Sequence, residues 1–159
     1  MPAQRRRSAG IVLHRGEGSA LEVLLVHPGG PLWARRDLGA WSIPKGEYAP
    51  DEDSLSAARR EFEEELGTAL ADGPAHDLGE VQQKGGKVVR GWAVRGDLDV
   101  SEITSNTLDI EWPPRSGKRL VIPEIDRAGW FAVDVAREKI NPAQVALLDR
   151  LDDFLHSGR

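Results

Sequence analysis

The chain has 159 residues, a formal net charge of −5 and no cysteine. That length suits one compact domain with an unaided core, the missing cysteines exclude disulfides and thiolate chemistry, and the acidic balance disfavours a general nucleic-acid-binding surface. No apolar run is long enough to span a bilayer or to follow the basic start Met1–Arg7 as a signal core, so a soluble cytoplasmic protein with residues 1–8 as a flexible basic tail is expected.

Residues 9–14 and 21–27 are short, apolar and β-branched, and read as two strands joined by the turn residues 15–19. A Gly/Pro-rich loop with basic residues runs from Pro28 to Gly39, and residues 41–44 form a short extended segment ending at Pro44. Leu55, Ala58, Phe62 and Leu66 recur at three- and four-residue spacing, which predicts a helix over 53–66 stopped by Gly67. Strands are expected at 78–83 and 87–96, joined at Lys84-Gly85-Gly86. Residues 101–119 are polar and turn-rich and read as a long loop, a substrate-side lid or an interface element. A strand over 128–131 follows. The last helix begins at Asn141 as N-cap, with Pro142 at its first position and Gln144 completing a capping box. Its buried stripe is Val145, Leu148, Leu151 and Leu155. Strands and helices in this irregular order predict an α/β (α+β) fold, a mixed sheet with helices on its faces.

The acidic end of the first helix is the feature with chemical content. At about 100° per residue, Glu61, Glu64 and Glu65 share one sector beside the apolar stripe, whereas Glu63 points elsewhere. Three like charges so placed repel one another, and the helix C-terminus disfavours anions. A solvated acidic face is the ordinary explanation of a Glu-rich helix. Here a wider pattern accompanies it: Gly46, five residues, Glu52, seven residues, then Arg60-Glu61-Phe62-Glu63-Glu64-Glu65-Leu66-Gly67. The histidines 14, 27, 76 and 156 form no ligand spacing, and no P-loop or nucleophile elbow is present.

The segment Gly46–Thr68 resembles the Nudix box, with every fixed residue present and only Thr68 replacing the final apolar position. The resemblance implies the Nudix fold and an enzyme that hydrolyses a phosphoanhydride bond in a nucleoside-diphosphate-linked small molecule, with Mg²⁺ or Mn²⁺ as cofactor. By the same resemblance Glu61, Glu64 and Glu65 bind metal and activate water, with Glu65 a direct ligand and Glu61 a ligand or base. Arg60 and Glu52 match a pair that orients the carboxylates, and Gly46 lies where a backbone carbonyl joins the metal shell. Glu124 stands six residues before Trp130, as does a ligand or base in several branches of the family. It is also placed as a surface Glu would be.

Trp41-Ser42-Ile43-Pro44-Lys45-Gly46 is similar to the corresponding segment of dinucleoside polyphosphate and diphosphoinositol polyphosphate Nudix hydrolases, which makes Lys45 a candidate phosphate contact. Arg35 and Lys87 are candidates to clamp distal phosphates, as are Arg36, Lys84, Lys118 and Arg119. Trp33 and Trp112 fall in loops, where an aromatic face stacks on a base or packs on the core, whereas Trp41, Trp92 and Trp130 are expected in the core. A dinucleoside polyphosphate or nucleoside triphosphate hydrolase is the leading expectation. A diphosphoinositol polyphosphate phosphohydrolase and a non-catalytic nucleotide-binding module stand as alternatives. No membrane partner is expected, and a homodimer is common in the family.

Overall fold

The near-continuous apolar run Ala9–Leu13 is what a strand covered on both faces requires, and it forms the middle of β1 (Arg7–Arg15). The structure, a computed structural model, describes residues 6–70 and 72–157. β1 pairs in parallel with β5 (Val88–Arg95) from Arg7 to His14. Its other edge is divided. His14 and Arg15 pair with β2 (Glu22–Pro28), while Ser8, Ala9 and Gly10 pair with β3 (Lys45–Glu47). β4 (Ala75–Gln82) and β8 (Ile125–Ala132) complete a mixed sheet in the order β4-β5-β1-β2-β8.

Alternate residues of β1 face opposite cores. Ile11 and Leu13 join Leu24, Ala58, Phe62 and Leu66 beneath α1 (Ser54–Leu66). Val12 joins Val23, Leu25, Leu147, Leu148 and Leu151 beneath α2 (Val133–Lys139) and α3 (Val145–Ser157). The sheet is thus sandwiched between helices, as expected. Among the described residues no helix is long and apolar enough to cross a membrane.

Several expectations need correction. Arg7 and Ser8 lie in β1, not in a tail, while residues 1–5 of that tail lie outside the described residues. The extended segment 41–44 makes only isolated bridges, and the strand starts after Pro44, whose missing N–H cannot enter the ladder. Residues 101–119 are not a structureless loop, because β6 (Thr107–Glu111) and β7 (Arg119–Pro123) pair as a separate two-stranded sheet. α2 is an additional helix of seven residues, too short to show a period. Asn141 caps as expected, its side chain accepting from Ala143 N–H, but the turn it caps is 3₁₀ (Pro142–Gln144). Gln144 completes no capping box. Its carboxamide is fully buried and bonded to the segment Ser42–Ile43.

Candidate active site

α1 is fixed at both ends by local chemistry. The Asp53 carboxylate accepts from Ser56 N–H at 3.0 Å, and Gly67 takes the left-handed conformation at φ 71° that closes the last turn. Ala57, Ala58, Phe62 and Leu66 then face the sheet, and this orientation carries Glu65 inward with them. Glu65 is only 7% exposed. It accepts a hydrogen bond from Lys45 N–H at 2.7 Å, across from β3. Burial, and next the charge of Glu124, push its carboxyl up to about 8, against the opposing pull of Lys45.

Arg60 organises the neighbouring carboxylates. Its guanidinium makes a two-point pair with Glu52, at 3.1 Å for each bond, and donates to Glu61 at 2.8 Å. Longer contacts of 3.4 Å reach Glu64. Such a fork fixes direction as well as distance. Burial, and then Glu64, raise the Glu61 carboxyl despite Arg60, which pulls the other way. Glu61 also packs on Gly46, where a Cβ would lie 2.7 Å from Glu61 Cγ and closer still to the carboxylate. No residue larger than glycine fits there without moving Glu61. Glu63 is exposed on the opposite side, as the spacing predicts.

Glu124 immediately precedes β8 and is anchored through its backbone, its N–H donating to Asn106 C=O at 2.7 Å and its carbonyl accepting from Gly29 N–H at 3.1 Å. Its carboxyl is raised by burial and then by Glu64, and partly offset by Lys45. Residues far apart in the chain therefore place Glu61, Glu64, Glu65 and Glu124 in one another's field. Among the described residues no three acidic or imidazole groups already stand close enough to enclose one ion. The donor set is nonetheless all oxygen and strongly anionic, and Glu65 is buried with a single protein donor, Lys45 N–H. Hard divalent cations take such ligands, and so these residues fit one.

A cleft of about 220 Å³ opens beside the carboxylates. Glu65, Glu124, Lys45 and Trp33 line it, together with Gln83 and Gln144. Lys45 is depressed first by burial and second by the Lys87 ammonium, so two of the expected phosphate contacts are neighbours. Arg35 is exposed and does not line the cleft, in contrast to Trp33. Trp112 is half-buried beside the β6–β7 sheet, and its backbone N–H bonds to Lys118 C=O. Trp41 is buried, whereas Trp92 and Trp130 are half-buried against the α1 core and donate to Ser54 Oγ and Leu98 C=O. The polar cleft residues Ser42, Gln83, Asn141 and Gln144 were not among the expected site residues. The only sequence signal for Gln144 is a polar residue beside an apolar stripe, and capping explains that equally well.

Comparison with known families and structures agrees with this architecture. The NUDIX domain family model matches residues 4–151. A Caenorhabditis elegans Ap4A hydrolase, in a binary complex, superposes with a TM-score of 0.63 at 23% identity, covering 95% of this chain and 98% of that one. The NUDIX domain of Shewanella oneidensis NrtR, complexed with ADP ribose, gives 0.63 at 16% identity, over 96% and 90% of the two chains. A mutT/nudix family protein from Listeria innocua gives 0.62 at 16% identity, over 99% and 98%. The sequence has no match among curated proteins. With its family model spanning nearly the whole chain, the chain belongs to the NUDIX domain family.

Proposed function

We propose that this protein is a divalent-metal-dependent hydrolase that cleaves a phosphoanhydride bond in a dinucleoside polyphosphate or a nucleoside triphosphate. The observation that carries the proposal is the joint field of Glu61, Glu64, Glu65 and Glu124 beside a cleft that also holds Lys45. The Trp41–Gly46 segment favours dinucleoside polyphosphates, and the structural likeness to an Ap4A hydrolase is consistent with that choice.

In this mechanism Glu65 and its neighbours would hold Mg²⁺ or Mn²⁺, and the Gly46 backbone carbonyl would join them. The bound ion would neutralise the polyphosphate and polarise the phosphorus under attack. Lys45, which lines the cleft, and its neighbour Lys87 attract the phosphate oxygens. Water attacks one phosphorus, an oxygen–phosphorus bond forms, and the bridging oxygen leaves with its electron pair. Glu61 or Glu124 takes the proton from the attacking water, since both are half-buried carboxylates with raised proton affinity. Arg60 keeps Glu61 and Glu64 oriented while this happens.

A substrate panel tests the proposal. Diadenosine polyphosphates, nucleoside triphosphates, ADP-ribose and diphosphoinositol polyphosphates are incubated with Mg²⁺ or Mn²⁺ and the products resolved, with Glu65→Gln as control. Metal-dependent turnover of a nucleotide, reduced by orders of magnitude in the variant, is expected. No turnover of any phosphoanhydride, or equal turnover by Glu65→Gln, would overturn it. Tight binding without turnover would instead mark a nucleotide-binding module.

A further inference from the structure

One hydrogen-bond network in the cleft has a polarity that can be traced from an unambiguous donor. Ile43 N–H is a backbone amide and can only donate, and it donates to Gln144 Oε1 at 3.1 Å. Gln144 is fully buried, so this bond fixes which end of its carboxamide is oxygen and which is nitrogen. Its Nε2 therefore faces Ser42 Oγ at 3.0 Å and Gln83 Oε1 at 2.8 Å. The Ser42 hydroxyl proton is directed to Ile43 C=O at 2.7 Å, which leaves Ser42 Oγ free to accept. Gln83 must likewise accept through its oxygen.

The consequence falls on Gln83 Nε2. Among the described residues it donates to no protein group, and Gln83 lines the cleft shared by Lys45, Glu65 and Glu124. The residue is held from behind as well. Its backbone N–H donates to Lys87 C=O at 2.7 Å, and its carbonyl accepts from Gly86 N–H at 3.0 Å. The β4–β5 turn thus brings an oriented donor, Gln83, and an ammonium, Lys87, to the site together. Ser42 and Ile43 precede Lys45 by three and two residues, so the network lies up to about 10 Å along the chain from it. That limit leaves room for the nucleoside attached to a diphosphate held at Lys45.

We infer that Gln83 is a specificity-determining residue, donating through Nε2 to an acceptor atom on the nucleoside part of the substrate. This inference rests on the hydrolase proposal above and narrows which part of the substrate the cleft recognises. Gln144 and Ser42 act behind Gln83 as positioning residues, since they set its polarity without facing the acceptor themselves. A glutamine free to rotate would offer oxygen and nitrogen alike. Here only the donor is available.

The test compares wild type with Gln83→Glu and Gln83→Met. Glu retains an oxygen for Gln144 but presents an acceptor to the ligand, while Met retains the shape and presents nothing. KM and kcat are measured on the best nucleotide of the panel and on inorganic tripolyphosphate. Binding of a non-hydrolysable analogue of that nucleotide is measured by calorimetry. Expected is a fall of about 10- to 100-fold in kcat/KM for the nucleotide in Gln83→Glu, with a smaller fall in Gln83→Met. The loss should lie in KM and be matched in the calorimetric affinity, with tripolyphosphate unchanged. An equal loss on tripolyphosphate would make Gln83 a phosphate contact and overturn the inference. So would unchanged nucleotide affinity in both variants whose thermal melts match wild type. Absence of turnover and of binding by the wild type would instead sink the hydrolase proposal itself.

Discussion

The carboxylate of Glu61 lies directly against the backbone of Gly46, so that β3 and α1 meet at the point where a side chain would otherwise stand. Gly46 has no positive φ among the residues that do. Its requirement is therefore one of space and not of backbone freedom. Gly46→Ala should force Glu61 away from Arg60 or β3 away from β1. We expect a loss of about 1–3 kcal/mol of stability, the usual range for overpacking. Turnover should fall about 100-fold, because displacement of about 1 Å in a catalytic group has that effect. Denaturant midpoints and steady-state kinetics on the same preparation check both.

The Glu52–Arg60 pair is exposed, and so it contributes little to folding. Its effect should appear in the site. Glu52→Gln weakens the fork that directs Arg60 toward Glu61 and Glu64, and Arg60→Lys cannot reproduce two-point geometry. Each is expected to lower metal affinity or turnover by about 10- to 100-fold, as loss of outer partners does in metal sites. Melting temperatures should stay close to wild type. A titration of activity against Mg²⁺ concentration separates the two effects, and wild-type behaviour in both variants would refute the orienting role.

What the sequence displays and what it conceals divide along contact distance. Glu61, Glu64 and Glu65 share a face because of helical spacing, and the Asp53 and Gly67 ends of α1 are equally local. The central strands β1 and β2 announce themselves through apolar runs, whereas β3, Lys45-Gly46-Glu47, has none. The β6–β7 hairpin does not, since Leu108 and Ile110 alternate with polar residues over only five positions and Pro113-Pro114 suggests a loop. Gln144 misleads because a capping box is a local pattern of four residues, while its true partners are Ile43, 101 positions away, and Gln83, 61 positions away. No periodicity encodes such a contact.

Mutual repulsion among Glu61, Glu64, Glu65 and Glu124 should make the protein more stable with a divalent cation than without one. A ligand that binds only the folded state stabilises it by about 2.7 kcal/mol at one hundred times its dissociation constant. Mg²⁺ is accordingly expected to raise the melting temperature by several degrees, and a chelator to reverse the change. In Glu65→Gln the metal-free protein should melt at or above the wild-type temperature, because a buried carboxyl that must take up a proton on folding has been replaced by a neutral amide, while the response to Mg²⁺ shrinks. Identical responses in the two proteins would exclude Glu65 from the metal site.

A separate pH effect belongs to His14, which is buried in β1 away from the carboxylates and pairs in register with Arg95. Burial, and second the Arg95 guanidinium, hold its imidazole down at about 4, against an ordinary value of 6.5. Between those limits the unfolded chain binds a proton that the folded chain refuses. Stability from this group is therefore fully present above pH 6.5 and is lost as pH falls through 4, by roughly 1–3 kcal/mol. Replacement by Phe removes the titration while keeping an aromatic side chain in the strand. The difference between wild-type and His14→Phe unfolding free energies, measured in urea at intervals from pH 7 to 4, should decline steadily over that window. A difference that stays constant with pH would show that His14 takes up its proton equally in both states.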